Sequence, residues 1–101
     1  MRMILDWKMP LEPFNSMVKA GTVGAQVQKV LGALKAEAVY FSTRGGCRGG
    51  IAIVDVADAS KIPSLAEPLF LTFNATVEFH PCMTPEDLGK AGLDDLGKAW
   101  S

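Results

Sequence analysis

Glu78 and His80, the second of them the only histidine in the chain, stand two residues apart in Ala75-Thr76-Val77-Glu78-Phe79-His80-Pro81. Strand alternation puts both on one face with Thr76 and turns Val77 and Phe79 to the other. An imidazole that titrates near neutrality, with a carboxylate beside it that favours its charged form, is the pattern of a general base. The same pair also serves as a hydrogen-bonded contact between subunits, because structural networks perturb titratable groups too. Asp6 and Lys8 form a second charged pair on one strand face, suited to an anionic ligand group or to a structural ion pair. Tyr40 offers a phenol to a ligand oxygen or an aromatic ring to an interface. Asp55 closes a β-branched run and, in the topology derived below, reaches the same sheet edge as His80.

Other chemistry has less support. Cys47 and Cys82 form no CxxC pair, and two scattered thiols with one histidine do not make a four-ligand zinc site; no metal is expected. Free thiols in a reducing, cytoplasmic setting are the expectation. Thr43-Arg44-Gly45-Gly46-Cys47-Arg48-Gly49-Gly50 reads as a flexible connection, with an anion-binding nest of glycine amides as the alternative. Cys47, between two arginines, is a candidate for a depressed thiol pKa. The five methionines read as filler in core or interface.

A net charge of −1 provides no field for a polyanion, so nucleic acid is not an expected partner. The short apolar run at the N-terminus stops at Asp6, too early for a signal-peptide core or a membrane span, and no cationic amphipathic helix marks a membrane surface. Residues 1–101 read as one domain with a helical tail over 81–101. Its apolar content of 49% suggests surface buried in an oligomer.

These residues must be positioned by a small set of elements. Met3, Leu5 and Trp7 alternate with Ile4, Asp6 and Lys8 in a first strand that Pro10 and Pro13 stop. Phe14, Met17 and Val18 mark a short helix ending at Gly21. Thr22 is placed to cap a second helix whose apolar stripe runs Val23, Val27, Val30, Leu31, Leu34. Val39 and Phe41 face one way in the next strand, with Ala38, Tyr40 and Ser42 opposite. Ile51-Ala52-Ile53-Val54-Asp55-Val56 reads as a central strand buried on both sides. Asp58 is expected to cap a helical region through Leu65, Leu69, Phe70 and Phe73, with a lead-in turn before Pro63 and a kink near Pro68. Thr84-Pro85-Glu86-Asp87 starts a tail helix that Gly92 breaks, and Asp94 is placed to cap a last turn bearing Leu96 and Trp100.

The order β-α-β-β-α-β is the ferredoxin-like, split βαβ pattern of an α+β fold: a four-stranded antiparallel sheet with strands one and three central, and helices on one face only. Met3, Leu5, Trp7, Val39, Phe41, Ala52, Val54, Val56, Val77 and Phe79 then face the helices. Ile4, Asp6, Lys8, Tyr40, Ile51, Ile53, Asp55, Glu78 and His80 fall on the open side. Such an apolar patch predicts a homodimer in which two open faces meet.

Trp7-Lys8-Met9-Pro10, Lys35-Ala36-Glu37-Ala38-Val39-Tyr40-Phe41, Ala66-Glu67-Pro68-Leu69-Phe70 and Glu78-Phe79-His80-Pro81 followed by Met83-Thr84-Pro85-Glu86-Asp87-Leu88 resemble an uncharacterised bacterial family. Along nearly its whole length the chain is thereby similar to the dimeric α/β-barrel superfamily, which includes cofactor-free monooxygenases, muconolactone isomerases and polyketide cyclases. The resemblance implies a fold and a dimer but no reaction. It leaves a homodimer binding a small, largely apolar molecule, with no cofactor and with His80 as base for proton transfer or oxygenation, beside a non-enzymatic dimerisation module. A cavity lined by Trp7, Phe41 and Phe79 between sheet and helices is the alternative place for a ligand to the polar strand face.

Overall fold

The computed structural model describes all residues, 1–101. Strands β1 (Arg2–Lys8), β2 (Ala38–Arg44), β3 (Cys47–Asp55) and β4 (Thr76–Pro81) form one antiparallel sheet in the order β2-β3-β1-β4. Helices α1 (Phe14–Ala20) and α2 (Val23–Leu34) connect β1 to β2, and α3 (Ile62–Phe73) connects β3 to β4. Two short helices, α4 (Pro85–Gly89) and α5 (Leu93–Ala99), follow the sheet. The fold is α+β, and no helix is long and apolar enough to cross a membrane.

Strand parity decides where the core lies. Met3, Leu5 and Trp7 of β1, with Ala52 and Val54 of β3, are buried against Val30 and Leu34 of α2 and Leu65, Leu69 and Phe73 of α3. Each buried leucine contributes about 1.5–3 kcal/mol, more than any surface ion pair, so this single layer carries the stability. The β3 run is not covered on both sides as its continuous apolar character predicts: Ile51 and Ile53 are only half-buried and Asp55 is exposed. Helices cover one face alone.

The run 43–50 is not a loose connection. Gly45 and Gly46, with φ of 58° and 80°, make a two-residue turn, and Arg44 pairs with Cys47 directly across it. Two successive positive φ angles fit the right-handed twist of a tight hairpin, so β2 and β3 continue up to the turn. Gly49 and Gly50 lie inside β3 for packing reasons. A Cβ on Gly50 would stand 2.7 Å from the indole of Trp7 and 2.4 Å from the Tyr40 carbonyl oxygen, so its absence makes room for the ring. Phe41, opposite Gly50, meets Trp7 edge-on with centroids 6.0 Å apart, yet is 60% exposed because β2 is an edge strand.

Several ends differ from the expected caps. Thr22 precedes α2, but its hydroxyl turns back to the Met17 carbonyl and makes no cap bond. Asp58 caps the 3-10 turn Ala59–Lys61, accepting from the Ser60 amide at 2.9 Å, and α3 starts after it and runs on through Pro68. Thr84 and Asp87 form the reciprocal capping box of α4, each bond 3.1 Å long. Gly92, not Asp94, stands at the start of α5, in the left-handed region.

Gly50→Ala is expected to lower unfolding free energy by about 1–3 kcal/mol through overpacking, whereas Gly24→Ala, in open space on α2, raises it by about 0.5–1 kcal/mol; urea titration separates the two. The Ser60 side chain, and then its amide, hold the Asp58 carboxyl below its ordinary pKa. Its stabilising effect is therefore present above about pH 4 and is lost as pH falls through the lowered value. The melting temperature of Asp58→Ala should lie below that of the wild type at pH 7, and the gap should shrink on acidification.

Candidate functional site

The open face of the sheet collects the polar candidates in cross-strand rows. Tyr40, Ile51, Asp6 and Glu78 stand side by side in one row; Ala38, Ile53, Ile4 and His80 form the next. Ser42, Gly49, Lys8 and Thr76 form the row on the other side. Alternation repeats every two residues, so Lys8 and His80 flank Asp6 and Glu78 within roughly 7 Å along the strands.

Asp6 is neutralised within the sheet. Arg44 Nε donates to Asp6 Oδ1 at 2.8 Å, and both side chains are about one-third exposed. The guanidinium reaches Asp6 by crossing Gly49, where a Cβ would stand 3.0 Å from Arg44 Cγ and 2.2 Å from the Trp7 carbonyl oxygen. Arg44, expected in a flexible connection and not among the sequence candidates, is thus a residue of the site. The signal that finds it is the alternation Ala38, Tyr40, Ser42, Arg44, which continues once the double glycine is recognised as a two-residue turn.

His80 Nε2 lies 3.2 Å from Glu78 Oε2, both at the exposed edge. Asp6, Trp7, Lys8, Arg44, Thr76 and Glu78 line an open cleft on this face. Lys8 has no carboxylate partner there, which leaves one cation free for an anionic group. The cleft continues along the sheet into an apolar strip of Ile51, Ile53, Ile4 and the 64% exposed Tyr40.

Two sequence candidates lie elsewhere. Asp55 pairs across from Arg2 and accepts from the N-terminal ammonium at 3.1 Å, two rows or roughly 13 Å from Asp6. Trp7 is 2% exposed on the helix side. It lines an all-apolar void with Phe41 but not Phe79, and that void holds about 20 Å³, the size of a water molecule and too small for a substrate.

The surrounding contacts hold the frame. Arg48 donates to Asn15 Oδ1 at 2.6 Å and lies 4.6 Å above the Phe14 ring, tying the start of β3 to α1. Arg2 donates to Glu37 Oε1 at 2.6 Å, and that bond, reinforced by the carboxylate charge, pushes the guanidinium pKa up. No three His, Cys, Asp or Glu side chains converge as a metal centre requires. Both cysteines are free thiols. No family model and no curated protein matches the chain.

A double-mutant cycle of Asp6→Ala and Arg44→Ala should give a coupling of about 0.5–1 kcal/mol in urea unfolding, reduced at 1 M salt. Coupling near zero at low salt would show that the pair is not formed in solution.

Proposed function

We propose that the chain is a ferredoxin-like module of the dimeric α/β-barrel kind, pairing through its open sheet face with a second copy, and that the seam binds a small molecule with an apolar body and an anionic group. The observation that carries this reading is the division of one uncovered face into an apolar strip and a charged cleft, beside a helix-side interior with no room for a ligand. The strand order and the one-sided helix layer support the fold assignment, and the sequence resemblance supports the pairing.

Facing sheets would bury Ile4, Ile51, Ile53 and Tyr40, and would wall the cleft with a second set of the same residues. Exclusion of water strengthens charge interactions, so Lys8 becomes the anchor for a carboxylate or phenolate and Arg44 a neighbouring donor. In such a seam the His80 imidazole, held by Glu78, is the group able to accept a proton from a bound acid, without a cofactor. A second reading, a dimerisation module with no ligand, is favoured by the Asp6–Arg44 pair, which satisfies both charges internally.

Light scattering at micromolar concentration should report twice the 10.8 kDa chain mass, and a particle of the chain mass alone would refute the pairing. Benzoate and 4-hydroxybenzoate serve as probes in thermal-shift assays. The expected result is a rise in melting temperature that Lys8→Met abolishes and His80→Gln reduces, with the dimer intact in both. A dimer that responds to neither probe would favour the ligand-free module.

A further inference from the structure

The charges of the open face stand in a definite order. Asp6 lies opposite Glu78 and Lys8 opposite Thr76, so these four residues are the corners of one cell of the sheet between β1 and β4. Two carboxylates make one side of the cell; an ammonium and a hydroxyl make the other. The two sides are separated by two residues along the strands, roughly 7 Å. All four corners line the open cleft, which holds about 200 Å³ against about 20 Å³ for the void under the helices.

Each side of the cell has one charge without an opposite partner. Asp6 is taken by Arg44 at 2.8 Å, whereas Glu78 has only His80, at 3.2 Å, a cation only when protonated. Lys8 meets no carboxylate: its ammonium lies over the hairpin, 3.5 Å from where a Cβ on Gly45 would stand. Nor do Lys8 and Glu78 pair with each other, since they occupy a diagonal of the cell, roughly 7–8 Å apart at their Cα atoms. Lys8 and Arg44 balance Asp6 and Glu78 across the cleft, so a simple anion drawn to Lys8 is repelled by Glu78. A ligand that also carries an ammonium turns that repulsion into attraction.

We infer that the ligand of this cleft is a zwitterion, an α-amino acid with an apolar side chain, its carboxylate held by Lys8 and the Thr76 hydroxyl and its ammonium by Glu78; the zwitterion rests on the open-face site proposed above. Span agrees with the cell. The ammonium and carboxylate of an α-amino acid are about 3 Å apart, and a charge-assisted hydrogen bond at each end extends the reach to roughly 8–9 Å, close to the Lys8–Glu78 diagonal. Both side chains are exposed, and Lys8 reaches the ligand by swinging its four-carbon stem back from the hairpin. Ile51 beside Asp6 and Ile4 one row beyond receive the apolar side chain.

Isothermal titration calorimetry on the full chain at pH 7 tests this with L-phenylalanine, with 3-phenylpropionate, which lacks the ammonium, and with 2-phenylethylamine, which lacks the carboxylate. L-Phenylalanine should bind about tenfold more tightly than either. Glu78→Gln should bring the affinity ratio of L-phenylalanine to 3-phenylpropionate close to one, and Lys8→Met should do the same to the ratio of L-phenylalanine to the amine. Wild-type chain that binds 3-phenylpropionate as tightly as L-phenylalanine overturns the zwitterion and leaves the anion site standing. A tenfold preference that survives Glu78→Gln overturns the placement of the ammonium. An amine that binds as tightly as L-phenylalanine, or failure of all three probes to bind, overturns both the zwitterion and the anion site.

Discussion

The indole of Trp7 reaches the sheet at Gly50 because that residue has no side chain, and much of the molecule is arranged around that contact. A β-strand surface bristles with side chains about every 5 Å, and a ring as large as an indole cannot reach it without a gap. Gly50 makes the gap; Phe41 closes it edge-on from β2, while Leu34 of α2 and Leu69 and Phe73 of α3 line the small void beside the ring. Filling this space with an aromatic ring leaves only a water-sized void under the helices. The interior is thereby spent on packing, and chemistry is left to the opposite face.

Gly49, the next residue back, does the matching work on that opposite face. Its missing side chain opens the path by which Arg44 crosses β3 to Asp6. Adjacent strand residues point to opposite faces, so two consecutive glycines thin the sheet on both sides at the same place. One side receives a ring and the other an ion pair. The open face therefore has a charged end near the hairpin and an apolar strip through Ile51, Ile53 and Ile4 between that end and the Arg2 and Asp55 row, a division that follows from backbone parity and the position of two glycines.

Much of this was legible from residue types. Met3, Leu5 and Trp7 alternate too regularly to be anything but one face of a strand, and the Val30 and Leu34 stripe of α2 turned out buried as its spacing requires. The capping box at Thr84 announced its helix. Arg44 was hidden because four glycines in eight residues look like freedom, whereas two of them form a tight turn and the other two relieve steric conflict inside a strand. Phe41 has the right parity for the core yet stays exposed, since parity does not say that a strand lies at the edge of its sheet. Thr22 stands where a cap belongs, and its hydroxyl chose a different acceptor.

The sequence by itself determined the elements, their faces and the presence of a charged strand surface, because these follow from periodicities local to a few residues. Only the tertiary structure decided that Asp6 meets Arg44, that Asp55 lies apart from Lys8 and Asp6, and that Trp7 fills the interior. Those outcomes depend on strand register and on which strands become edges. Register and edges are fixed by the packing of the whole sheet, so no local pattern contains them.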